Sequence, residues 1–166
     1  HTELSELSSP EETPPDVKAV KEAGGGIPVA KSNTDFGRQE YWDSRFLEEE
    51  HYDWLLTFQQ VAPQLLPLLQ PYSQNARILI VGCGNSAFSA DLYDAGYHNI
   101  VNVDYSGVVI SRMREQHGVL RPLMTWLEMD MTKMTFPIRE DGDAPFDVVI
   151  DKAALDAIMV DEKSVW

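Results

Sequence analysis

The stretch Ile78-Leu79-Ile80-Val81-Gly82-Cys83-Gly84-Asn85-Ser86 constrains this chain more than any other. Four aliphatic residues that run into Gly-x-Gly describe a buried parallel strand ending in a tight glycine turn. Glycines there let the backbone approach a ligand where a β-carbon would clash. Ser86 to Tyr93 then reads as a helix whose first free N–H groups face the same point. Asp104 closes a second apolar run, Ile100-Val101-Asn102-Val103. Its distance along the chain from Gly84 is the one at which an α/β nucleotide site sets a carboxylate on a ribose. Together these features point to an adenosine-type ligand.

Around that segment the pattern alternates. Strands are expected at 77–81, 100–104, 124–129 and 146–150, with helices near 86–95 and 106–116 and a helical start at 155–159. Gly96 suits the residue just past a helix end. Strand–helix–strand repetition predicts a mostly parallel α/β sheet covered on both faces. Before it, Tyr41-Trp42 and Arg45-Phe46 recur at helical spacing over 38–50, and a second helical stretch is expected to start at Tyr52-Asp53-Trp54. A third, short helix is expected with Pro63 near its start, Pro67 inside it and Leu65, Leu66, Leu68 and Leu69 buried. Residues 1–36 lack apolar periodicity and are rich in Glu, Pro, Ser and Gly, so they are expected to form a flexible acidic tail, with the folded domain over 37–166.

In an open parallel sheet, ligands bind beyond the carboxyl ends of the strands. At that edge the expected strands end in Gly82 to Asn85, Asp104, Asp130 and Asp151-Lys152. A carboxylate at Asp104 can accept two hydroxyl hydrogen bonds from a ribose diol. Asp130 can accept one from an adenine amino group, and Tyr105 and Met131 would flank a flat base. Each aspartate also has a plain reading as turn former or helix cap. Arg45 is a candidate partner for a ligand carboxylate, and Lys152 either pairs with Asp151 or contacts the ligand. Cys83 lies between the loop glycines, where a small side chain suits the turn. His51, His98 and His117 show no metal spacing.

Composition narrows the classes further. A formal net charge of −14 opposes electrostatic binding to nucleic acid and suits a basic protein partner. No apolar run approaches the roughly 20 residues needed to span a bilayer, so no membrane role is expected. A single cysteine excludes an internal disulfide and a cysteine zinc site. It fits a reducing compartment, and the chain is expected in the cytoplasm.

In order and spacing, Tyr41-Trp42-Asp43-x-Arg45-Phe46, Tyr52-Asp53-Trp54, Val81 to Ser86, Asn102 to Ser106 and Phe146 to Lys152 resemble the class I S-adenosylmethionine-dependent methyltransferases. Within them the chain is most similar to the group that includes lysine methyltransferases acting on eukaryotic translation elongation factor 1-alpha. The resemblance runs from about Gly37 to the end of the chain. It implies a Rossmann-like three-layer αβα fold, S-adenosylmethionine as cofactor and a lysine of a basic protein as acceptor. It places Gly82, Cys83, Gly84 and Asn85 in the cofactor turn, with Gly82 under the methionine part. Asp104 and Tyr105 would hold ribose and adenine, while Asp130 and Met131 bound the adenine. Trp42, Phe46 and Trp54 would close over the cofactor, and Lys152 would reach it from strand four. Family members often carry Tyr where this chain has Phe46. Transfer of a methyl group to a neutral amine needs alignment and exclusion of water, so a general base is optional; Asp151 is the candidate for orienting the amine. A class I sheet has seven strands, and the last three would follow Trp166, so the chain is expected to be a fragment carrying the cofactor half. Two other readings stay open: a non-catalytic cofactor-binding or interaction module, and an NAD-type oxidoreductase, whose permissive fingerprint Gly82-x-Gly84-x-x-Ala87 also satisfies.

Overall fold

Four strands, β1 (Ile78–Val81), β2 (Ile100–Asp104), β3 (Thr125–Glu128) and β4 (Val148–Asp151), pair in parallel in the order β3-β2-β1-β4. This is the order with which a doubly wound sheet begins. The structure is a computed structural model that describes residues 26–140, 142 and 144–159. Residues 1–25 of the flexible tail expected over 1–36, the acids at 141 and 143 and the segment 160–166 lie outside the described residues.

β1 and β2 are buried along their whole length, as continuous aliphatic runs require in a parallel sheet. Registers Ile78↔Ile100 and Val81↔Val103 bring their carboxyl ends level. Ile78, Ile80 and Ile100 face one core with α1 (Gln39–Glu48), α2 (Phe58–Leu69), α3 (Phe88–Asp94) and α4 (Gly107–His117). Leu79, Val81, Val101 and Val103 face a second core closed by Phe146, with Met131, Met134 and Phe136 packed against it. Among the described residues, therefore, helices α1 to α4 pack on one face, and the connection between β3 and β4 covers the other. Right-handed crossovers account for this. The steps β1→β2→β3 run one way and place α3 and α4 together; the return past β1 to β4 falls on the opposite side.

Asn102 is the one polar side chain in the middle of β2, and it is fully buried. It accepts from the Ser89 hydroxyl of α3 and donates to the Thr125 carbonyl of β3, so its burial leaves no unmet hydrogen bond on those atoms.

The region before β1 departs from expectation in three places. Asn33–Gly37 forms a 3-10 helix, so ordered structure starts inside the segment read as tail; its Ser32/Asp35 capping box supplies the local reason. Tyr52 to Leu56 is irregular rather than helical, with Leu55 at φ 65. The helix instead starts at Phe58, and a single α2 includes both Pro63 and Pro67. Two prolines remove two intrahelical donors. The compensation is a strong start, because Thr57 accepts from the Gln60 N–H while the Gln60 side chain accepts from the Thr57 N–H. Buried Phe58 and Leu69 anchor the two ends. Thr57→Ala is expected to lower unfolding free energy by about 1 kcal/mol. Urea denaturation followed by circular dichroism checks this; an unshifted midpoint would assign the stability of α2 to packing alone.

Candidate functional site

The carboxyl ends of all four strands open into a cavity of about 530 Å³, within the range of small-molecule and cofactor sites. Gly82 lines it from β1, Asp104 and Tyr105 from β2, Met129 to Thr132 from β3, and Lys152 to Ala154 from β4. Trp42 and Trp54 line it from the segments that precede the sheet. The site thus lies where the order reverses around β1, the crevice that chain topology provides.

Gly82 (φ 56) and Gly84 (φ 53) both occupy the left-handed region. A β-carbon on Gly82 would stand 2.2 Å from Cβ of Ala154, at the start of α5 (Ala154–Met159). Glycine is therefore required twice there, by conformation and by space. The turn it makes lets the Gly84 N–H donate to Asp104 Oδ2 (2.9 Å), while the Ser106 N–H donates to Oδ1 (3.0 Å). Each carboxylate oxygen keeps a further lone pair for a ligand. Burial pushes the Asp104 carboxyl up to about 6, opposed by those two N–H bonds. The neighbouring Tyr105 phenol is also pushed up, first by burial and then by the surrounding carboxylates Asp104, Asp43, Glu40 and Asp130.

Lys152 donates to the Trp54 carbonyl (2.9 Å) and sits 3.5 Å from Asp53 Oδ1. Burial depresses its ammonium pKa, and Asp53 works against that. The Trp42 indole donates to the Phe36 carbonyl (2.7 Å), and Gln39 donates to the Tyr105 carbonyl (2.8 Å). These bonds fasten the 3-10 helix and α1 across the opening. The Trp54 indole N–H is buried without a hydrogen-bond partner among the described residues.

Of the residues singled out from sequence, Trp42, Trp54, Gly82, Asp104, Tyr105, Asp130, Met131 and Lys152 line one cavity. Six others do not. Arg45 is committed elsewhere: it grips Glu49 with two bonds (3.0 and 2.7 Å), donates to the Tyr41 hydroxyl, and lies over the Tyr52 and Trp54 rings. A guanidinium satisfied by a carboxylate has little left for a ligand's carboxylate. Phe46 is buried behind the turn, and a β-carbon on Gly84 would touch its ring at 3.6 Å. Cys83 is buried, with its thiol pKa pushed well up by burial, so it serves packing. Asn85 is buried and donates to the Glu49 carbonyl. Asp151 accepts from the Leu155 N–H (2.9 Å) and so caps α5, the structural role open to any aspartate at a strand end. Asp130, though it lines the cavity, also closes a local turn by accepting from the N–H and hydroxyl of Thr132; those bonds hold its carboxyl below the usual range.

The helix after the glycine turn starts at Phe88, later than expected, and the Phe88 N–H is taken by the Ser86 hydroxyl (3.1 Å). Sequence reasoning missed Asn33, Phe36, Leu55, Thr132 and the α5 residues Ala154, Asp156, Ala157 and Ile158, all of which line the cavity. For α5 a signal existed, since Ala154, Ala157 and Ile158 recur at the i, i+3, i+4 spacing of one helix face. For Phe36 there was none, because polar residues surround it.

The chain is 42% identical over 139 residues to the eEF1A lysine and N-terminal methyltransferase of Mus musculus, covering 82% of this chain and 19% of that protein. The Homo sapiens protein of the same name is 42% identical over 137 residues, covering 81% of this chain and 18% of the relative. EEF1A lysine methyltransferase 4 of Bos taurus is 34% identical over 141 residues, covering 83% and 52%. The chain thus spans between about a fifth and a half of the length of these curated relatives. Residues 78–165, more than half of the chain, match the family described as "Methyltransferase domain". With a parallel sheet in the order β3-β2-β1-β4 and a cavity at its strand ends, the chain belongs to the class I S-adenosylmethionine-dependent methyltransferase family.

Proposed function

We propose that this cavity binds S-adenosylmethionine and that the chain is the cofactor-binding part of an enzyme that methylates a lysine of a basic, eEF1A-like protein in the cytoplasm. The observation that carries the reading is the pairing of Gly82 with Asp104: a strand-end turn with no room for a side chain, facing a buried carboxylate with lone pairs to spare. The relatives' names supply the acceptor class, and the acidic balance of the chain suits a basic partner rather than nucleic acid. No described helix is long and apolar enough to cross a membrane.

The residues present fit the cofactor. Asp104 would hold the ribose diol, Tyr105 and Met131 would flank the adenine, and the Gly82 backbone would lie against the methionine portion. The Trp54 N–H, unpartnered among the described residues, and the Lys152 ammonium are donors suited to a carboxylate. When bound, the cofactor supplies an electrophilic methyl group on a sulfonium. The chain's own share is to orient the ligand and exclude water, which for a displacement of this kind provides much of the rate. The oxidoreductase reading loses ground at the helix start, because a pyrophosphate needs the free N–H groups of the first turn, and Ser86 already occupies that of Phe88.

Calorimetric titration with S-adenosylhomocysteine and with NAD tests the binding, and methyl transfer from labelled cofactor to purified eEF1A tests the reaction. Binding of NAD with no binding of S-adenosylhomocysteine would overturn the reading. Bound cofactor with no transfer would leave a binding module.

The raised Asp104 pKa adds a pH prediction. A folded pKa of about 6 against an ordinary 3.8 means that this group stabilises the empty fold below pH 3.8, and that this contribution is lost as pH rises through 6. Hydroxyl donors from a ribose favour the anion and reverse the shift. Affinity for S-adenosylhomocysteine is therefore expected to weaken roughly tenfold per unit below pH 6, with a proton released on binding near pH 6. Titrations in two buffers of different ionisation enthalpy measure both.

A further inference from the structure

We propose that Asp53 is a positioning residue of this cavity, a clasp that holds the Lys152 ammonium and the Trp54 backbone in place against its wall. The inference rests on reading the cavity as a cofactor site. It starts from a structural difficulty. The segment between α1 and α2 has no regular structure, yet it carries Trp54 and Leu55 to the cavity. Leu55 does so at φ 65, a conformation that disfavours any residue with a β-carbon and persists only where surrounding contacts enforce it.

Asp53, two residues before Leu55, ties this segment to the rest of the site. Its Oδ1 accepts from the Ser86 hydroxyl in the β1–α3 loop and faces Lys152 Nζ at 3.5 Å, while its Oδ2 lies 3.2 Å from Nε2 of His51. The Ser86 hydroxyl is fixed in direction, because its oxygen already accepts from the Phe88 N–H; its proton is left for Asp53. Lys152 completes the loop by donating to the Trp54 carbonyl. The carboxylate and ammonium side chains are only 13% and 15% exposed, so each is the other's principal counter-charge in a partly desolvated place. One carboxylate therefore joins the glycine-turn loop, the end of β4 and the irregular segment beside this cavity. One oxygen serving both the Ser86 hydroxyl and the Lys152 ammonium calls for a carboxylate; an amide at 53 would retain the Ser86 bond and lose the charge opposite Lys152.

The test is a double-mutant cycle on the full chain, with S-adenosylhomocysteine affinity measured by calorimetry and thermal melts run beside it. Asp53→Asn and Lys152→Met are each expected to weaken binding roughly tenfold or more. The double variant is expected to bind no more than about twofold worse than Lys152→Met, because the two residues act as one unit. A purely structural role for Asp53 would instead make the two losses multiply. Asp53→Asn preserves the shape of the side chain, and the thermal melts show whether each variant is folded. Unchanged affinity in Asp53→Asn, or multiplicative losses, overturns the clasp while the cofactor reading stands. Absence of binding in the unsubstituted chain overturns the cofactor reading itself, and this inference with it.

Discussion

Asp104→Ala is expected to abolish measurable cofactor binding. Two ribose hydroxyls donating to a buried carboxylate are each worth about 1.5–3 kcal/mol, so their joint loss corresponds to an affinity drop of more than about 100-fold. The substitution also leaves the Gly84 and Ser106 N–H groups without their acceptor. Opposing this, it removes a carboxylate whose pKa burial has raised to about 6, and relief of that cost offsets part of the damage at pH 7. A folded protein with lost affinity is the expected combination. Calorimetry alongside a thermal melt distinguishes it from collapse of the glycine turn, which would lower both, and retained affinity would remove Asp104 from the site.

Gly82→Ala should have the second largest effect, and for a different reason. The new methyl would stand 2.2 Å from Cβ of Ala154, and the residue would keep φ 56. The left-handed backbone alone costs about 1–2 kcal/mol. The contact then forces the β4–α5 turn, which carries Lys152, Ala153 and Ala154, away from the cavity. Affinity for S-adenosylhomocysteine is expected to fall well over tenfold, with a lower melting temperature. Gly142→Ala provides the control: it too has a positive φ of 83, but nothing within 4 Å meets its β-carbon. Comparable losses in both variants would reduce the Gly82 requirement to backbone conformation alone.

β1 and β2 could be read from local patterns, since an aliphatic run bounded by glycine or aspartate behaves as a buried parallel strand; β3 and β4, partly exposed at the two edges of the sheet, followed from the strand–helix alternation. Their bounds moved by only a few residues between expectation and structure. Asp104 was legible for the same reason: a carboxylate at the end of β2 must arrive beside the end of β1 once those strands pair in register. The start of α2 was less legible. Propensity alone discourages a helix through Pro63 and Pro67, and the capping box at Thr57 together with the burial of Phe58 and Leu69 overrode it.

Residue roles at the cavity were harder to assign than strands. Arg45 and Asp151 carry the right chemistry for ligand contacts, but Glu49 takes the one and the α5 backbone takes the other. Nothing in the motif spacing distinguishes a free charged group from one already paired. Asp53, by contrast, sat in an aromatic motif with no evident task until Lys152 arrived beside it.

What the amino-acid order determined by itself is the parallel sheet, the glycine turn and the carboxylate level with it, because each follows from steric rules acting over a few neighbouring residues. Tertiary structure alone decided which charged side chains remain available to a ligand, and it brought Phe36 and α5 to the cavity wall. The reason is that hydrogen bonds and ion pairs saturate: a partner 98 positions away, as between Lys152 and Trp54, occupies a donor as fully as a neighbour does, and only the folded chain shows which partner arrived.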